Sequence, residues 1–285
     1  MSRRIRSAGI ALALLAVVMV AGVVAIAITR AHRASSAPTC AVVSTGYALD
    51  PDQAANAAEI SAVAIRRGLP QRAVVIALAT AYQESKLVNI PADAGDLDSV
   101  GLFQQRPSQG WGAPADLSRP VYAAGKFYDA LVKVRAWQTD ALTVVAQKVQ
   151  RSAYPQAYAR WEPLAIGLAG AFVGSQPAGL ACRYDSGPRA DPEAVAASVQ
   201  RDFPVAAPVA VTPAVHRPPA LDVAASTSSG GWAIAAWIIA HGSTLHVESV
   251  GYAGKVWHRG DLSWSADRTQ TGTGVHVELS GGTSS

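Results

Sequence analysis

Residues 73–85 read AVVIALATAYQES, and residues 98–104 read DSVGLFQ. The first stretch decides the fold. Pro70 opens it, and apolar side chains then continue to Ser85 without a glycine or a second proline, which predicts a helix. Counting back from Glu84 at helical spacing gives Ala81, Thr80, Ala77 and Ala73. These are small and mostly apolar, so Glu84 ends an apolar helix on a face that small side chains leave open. A carboxyl in a partly dry pocket keeps its proton towards neutral pH, because burial penalises the charged form. A protonated carboxylic acid is what a leaving glycosidic oxygen needs. Taken alone, Glu84 also reads as a solvated helix-end residue paired with Lys86 or Arg106.

The flanking sequence is helical too. Asp50-Pro51 is a cap followed by proline in the first turn, opening a helix that runs to Arg67 and stops at Gly68. After the Glu84 helix comes a polar stretch, 89–98, containing Asp93, Asp96 and Asp98. A short apolar run, 100–103, leads into a loop rich in Pro, Gly and Ser that lasts to Pro120. Three further helices are expected at 121–134, 141–150 and 155–174. The last holds PLAIGLAGAFVG, apolar all round and too short to span a bilayer, hence a buried core helix.

Together, Gln83-Glu84-Ser85 at a helix end and the Asp-Ser-Val-Gly-Leu-Phe-Gln stretch about 20 residues on resemble the lysozyme-like superfamily, in particular lytic transglycosylases and goose-type lysozymes. The run GLFQQRPSQGWG, 101–112, is similar to that of actinobacterial membrane-anchored proteins. The resemblance covers roughly residues 50–175 and implies a mainly α lysozyme-like domain with Glu84 as general acid/base. It also implies Ser85, Gln104 and Gln105 as substrate-binding residues. Tyr82 and Trp111 are aromatic candidates for stacking on sugar rings, whereas Phe103 is read as core. The chain departs from the family pattern twice. The Ala-Tyr-Asn-Ala-Gly segment of transglycosylases is incomplete, leaving Tyr154 and Tyr158 as its nearest tyrosines. The slot of a second lysozyme carboxylate holds Ser99. One carboxylate favours the transglycosylase route, in which the substrate's own groups close an anhydro ring. Asp93, Asp96 or Asp98 as a water-activating base would give hydrolysis instead.

The chain has 285 residues, a formal charge of +4 and a pI near 9.2. Of its 24 cationic residues, five (Arg3, Arg4, Arg6, Arg30 and Arg33) fall in residues 1–33, leaving 19 against 20 acidic ones in residues 34–285. A nucleic-acid-binding face is therefore not expected. The arginines frame an uncharged apolar stretch, 8–29, long enough to cross a bilayer. The reading is a signal-anchor transmembrane helix within 1–36, with cleavage near Ala34–Ala37 as the alternative. It puts the bulk of the chain outside the cell membrane. Cys40 and Cys182, the only cysteines, are expected to pair in that oxidising compartment and to bracket a domain, 37–182.

After Cys182 the composition shifts. A linker is expected at 183–190 and an α+β domain at 191–281, with a tail at 282–285. Its helices are expected at 191–203 and 232–240. Strands are expected at 206–211, 220–224, 247–252, 255–258 and 274–279, with Ala253-Gly254 as a hairpin turn. The pieces His216…Ala220-Leu221-Asp222 and Val275-His276-Val277 resemble a degenerate hedgehog/DD-peptidase, of the D-Ala-D-Ala carboxypeptidase kind. That resemblance implies zinc held by His216, Asp222 and His276. Here the His-to-Asp spacing is six rather than seven, and Gly274 replaces the first strand histidine. A binding module without metal is thus the first reading, and a retained zinc site the second.

The expected architecture is a transmembrane helix, then a mainly α lysozyme-like domain, then a small α+β domain. The expected function is peptidoglycan glycan-strand cleavage without a cofactor, the bilayer being the other partner. The alternative is an inactive peptidoglycan-binding or scaffold protein.

Overall fold

A computed structural model describes residues 37–94, 97–151, 156–204, 209–212 and 218–281. By its contacts the chain divides into residues 1–37 and 38–285, and the second unit carries the elements below. Strand β1 (Thr39–Val42) pairs antiparallel with β2 (Ala48–Leu49) on one side and β3 (Leu180–Arg183) on the other, in the order β2-β1-β3. Cys40 faces Cys182 across this ladder, and the two form a disulfide. Helices follow at α1 (Pro51–Arg66), α2 (Gln71–Ser85), the short α3 (Pro114–Leu117), α4 (Pro120–Leu131), α5 (Leu142–Gln150) and α6 (Glu162–Phe172).

Local sequence accounts for these boundaries. The Gln53 side chain accepts from the Asp50 backbone N–H at 2.8 Å, and Pro51 opens α1. Gly68 takes φ +64 just past its end. Helix α4 ends at Leu131 rather than 134. The expected helix over 155–174 is a 3-10 turn, Ala159–Trp161, running into α6. Glu162-Pro163 suits a first helical turn, where proline's missing N–H costs nothing. One face of α6 is open, with Ile166 half exposed.

The second sheet has six antiparallel strands in the order β4-β5-β9-β6-β7-β8: β4 (Val209–Thr212), β5 (Ala220–Ala224), β6 (Val247–Tyr252), β7 (Lys255–His258), β8 (Ser265–Ala266) and β9 (Gly274–Leu279). Helix α7 (Pro192–Asp202) precedes it, and helix α8 (Ser228–Ala240) crosses it. Every residue of α8 from Gly231 to Ala240 is buried. It packs on β6 on one side and on α1 and α6 on the other, so a single apolar helix joins both parts. Gly174 makes this possible: a Cβ there would lie 1.8 Å from the Ser229 carbonyl oxygen.

Two expectations change. The stretch 183–190, read as a linker, is bonded to the sheet. Tyr184 N–H donates to the Arg259 carbonyl at 2.9 Å, Ala190 N–H to that of Ser280 at 3.0 Å, and the buried Arg259 reaches the Asp185 carbonyl. The expected transmembrane helix over 8–29 falls outside the described residues. Among the described residues no helix is long and apolar enough to cross a membrane. The longest, α1, has 16 residues and so reaches about 24 Å of the ~30 Å required. The expected fold class is accordingly corrected to helices with two antiparallel sheets.

Candidate active site

Glu84 occupies the last turn of α2, above Ala73, Ala77, Thr80 and Ala81, all fully buried. It is half-buried itself. The Tyr158 hydroxyl donates to Glu84 Oε1 at 2.7 Å, and Tyr158 has no exposed surface. Gln150, the last residue of α5, bonds the Phe103 carbonyl through Nε2 at 2.7 Å and stands close enough to Glu84 to favour its carboxylate form. Burial raises the Glu84 pKa, and this outweighs the opposing pull of Tyr158, Gln150 and the Lys86 charge. The result is a carboxyl biased towards its protonated form and fixed in direction by a phenol.

The chain leaves α2 through two successive left-handed residues, Lys86 (φ 57) and Leu87 (φ 61). Each costs about 1–2 kcal/mol for a non-glycine residue. Hydrogen bonds from Gln53 Nε2 to the Lys86 carbonyl and from Asn56 Nδ2 to the Leu87 carbonyl, both 2.8 Å, hold the turn. The Lys86 ammonium is thereby set over the rings of Tyr82 (5.2 Å to the centroid) and Trp161 (4.5 Å), which touch each other at 4.6 Å.

Of the residues marked in the sequence, Ser85 is buried, and its hydroxyl is engaged by the Leu102 carbonyl at 2.8 Å and the Ala81 carbonyl at 3.0 Å. It fastens the 100–105 loop to the end of α2. That loop closes by a bridge between Val100 and Gln105. Its sharpness depends on Gly101, at φ +75, where a Cβ would meet the Leu117 carbonyl oxygen at 2.6 Å. Gln104 is half-buried, and its Nε2 bonds the Gly101 carbonyl at 3.0 Å. Gln105 turns inward and bonds the Ala123 carbonyl at 3.2 Å. Phe103 is core, stacked on Phe127 at 4.6 Å. Trp111 stands in a separate cleft of about 470 Å³ that Gln150 also lines. Tyr154 and Asp96 fall outside the described residues, and Asp93 is exposed. Asp98 accepts from Arg106 Nε at 2.6 Å and from the Ser108 backbone N–H at 2.8 Å. These bonds, Arg106 first, hold its carboxyl well below the usual range.

The sequence reading missed Gln150, Lys86 and Trp161 as site residues. Nothing local marks Gln150, which reaches Glu84 from a helix 66 positions away in the chain. Trp161 shows only as an aromatic beside a helix-opening proline.

In the second sheet Asp222 and His276 are direct cross-strand partners, with Asp222 Oδ1 2.8 Å from His276 Nδ1. They open onto a shallow groove with Ala210, Thr269 and Gln270. His216 lies outside the described residues, and among the described residues no group of three possible metal ligands is present. The two residues seen supply an incomplete donor set for zinc.

No family model and no curated protein matches the chain.

Proposed function

We propose that this protein cleaves the glycan strand of peptidoglycan on the extracytoplasmic side, with Glu84 as its acid/base. The observation that carries this reading is the Glu84–Tyr158 pair. It is a half-buried carboxyl with a raised pKa, held at 2.7 Å by a fully buried phenol. The chemistry follows from that state. Protonated Glu84 gives its proton to the glycosidic oxygen as the bond to the anomeric carbon breaks. The resulting carboxylate then takes a proton from the nucleophile that closes on that carbon, which restores the acid.

The nucleophile favoured is the substrate's own 6-hydroxyl, giving an anhydro end. Hydrolysis would need a second carboxylate to activate water. Asp98 accepts from Arg106 and Ser108, and these bonds keep its basicity low. The disulfide suits an exported chain, because oxidising compartments preserve such bonds.

The test uses purified full chain and isolated sacculi. Soluble muropeptides should appear with the native protein and not with Glu84→Gln, whose amide cannot donate the proton. Equal release by both proteins would reject Glu84 as the acid. Binding to sacculi without release by either would replace the reading with a non-cleaving wall-binding role.

A further inference from the structure

We propose that Lys86 and Arg160, held against Trp161 beside Glu84, form a carboxylate-binding subsite that selects the acidic, muramic-acid-bearing glycan over neutral glycan. This rests on the glycan reading above and names the substrate feature the site recognises.

Both cations are ordered by the same ring. The Lys86 ammonium lies 4.5 Å from the Trp161 centroid and the Arg160 guanidinium 4.7 Å. Trp161 is itself fixed, its indole N–H donating to Gln83 Oε1 at 2.8 Å, where Arg160 also donates at 3.0 Å. Lys86 is tied back to the Tyr82 carbonyl at 3.1 Å. The strained left-handed turn at residues 86–87 aims the ammonium here.

The charges are not balanced. Among the described residues no carboxylate lies within ion-pair distance of either side chain, although nine such contacts occur elsewhere. Burial, and then the repulsion of Arg160, lower the Lys86 pKa, and Glu84 is the acid that opposes this. Two cations, pre-ordered and short of an anion, are complementary to a ligand carboxylate. Because Tyr158 contacts Glu84 and is followed directly by the Ala159–Trp161 turn, the subsite lies next to the scissile bond. There muramic acid carries its lactyl carboxylate or the peptide attached to it.

The test measures binding, in the Glu84→Gln background so that nothing is cut. Three oligosaccharides of equal length are compared: one with free muramic carboxylates, the same one with those carboxylates amidated, and neutral N-acetylglucosamine oligomers. The full chain should bind the free acid about ten- to a hundredfold more tightly than the amide. Adding Arg160→Gln and Lys86→Gln should erase that preference, whereas Arg160→Lys should retain most of it. Arg160 is exposed, so its single variants keep the fold, and their unchanged thermal midpoint verifies this. Free acid and amide binding alike would overturn the subsite while leaving the glycan reading intact. A preference that survives both glutamine substitutions would overturn it as well. Binding of none of the three would overturn both.

Discussion

Glu84 and the Asp222–His276 pair resemble each other on paper. Each is an acidic side chain with a well-formed hydrogen bond, 2.7 Å in one case and 2.8 Å in the other. Their surroundings differ. Glu84 has a fully buried partner and a pKa raised by burial. Asp222 and His276 stand on an open sheet face, with side chains 58% and 35% exposed. In water the second contact is screened, and such pairs contribute little. A hydrogen-bonded acid therefore has a raised pKa in one place and belongs to a solvated surface pair in the other. What separates them is the apolar helix end and the phenol behind it.

The sharpest way to break this contrast is Glu84→Gln, which should lower cleavage of sacculi by about 10²–10⁴-fold, the range for a lost general acid. The same variant carries a stability signature. The folded pKa of Glu84 is raised, so its contribution is fully present below the ordinary value of 4.5 and is lost as pH rises through the folded pKa. Glu84→Gln should therefore be more stable than the native chain at neutral pH, and that gain should vanish in acid. Thermal midpoints across pH check it.

The next effect concerns the scaffold that both regions share. Cys40 and Cys182 are 142 residues apart in sequence. Replacing both with serine should cost about 2–5 kcal/mol, mainly by freeing the unfolded chain. Denaturant titration reads this, and the losses at the two regions should coincide because α8 unites them. Smaller again is Tyr158→Phe. Removing a hydrogen bond of about 1 kcal/mol should slow cleavage about fivefold. Because the tyrosine lowers the Glu84 pKa, its loss should move the basic limb of the pH–rate profile to higher pH. The smallest effect is expected from Asp222→Asn with His276→Ala. Sacculus cleavage should be unchanged and stability altered by less than about 0.5 kcal/mol. A large loss of cleavage there would mean that the sheet groove takes part in the reaction.

Much of this fold is legible in the sequence where the signals are local. Asp50-Pro51, Gly68 and Pro70 bracket two helices to within a residue or two, and Ala253-Gly254, both at positive φ, turn the β6–β7 hairpin as expected. The small sheet is not legible, since β1 and β3 are four residues each and their facing cysteines are 142 residues apart. The loop 100–105 is a turn closed by one bridge, because Gly101 and Gln104 both adopt positive φ. The site divides in the same way. Glu84 stands out through the small residues at helical spacing beneath it. Ser85 and Gln105 sit in the marked motif, yet their side chains serve the backbone of neighbouring elements. Gln150 and Trp161 reach the site through packing of distant segments, which no local pattern records. Tyr158 is visible only as one of two tyrosines near an incomplete motif.

The central claim is that burial keeps the Glu84 carboxyl protonated above the ordinary glutamate range. Its most direct test is the ¹³C chemical shift of that carboxyl, followed by NMR against pH in labelled full chain and assigned by its absence in Glu84→Gln. The account predicts a midpoint above the ordinary 4.5, moving higher still in Tyr158→Phe. A midpoint at or below 4.5 would contradict it.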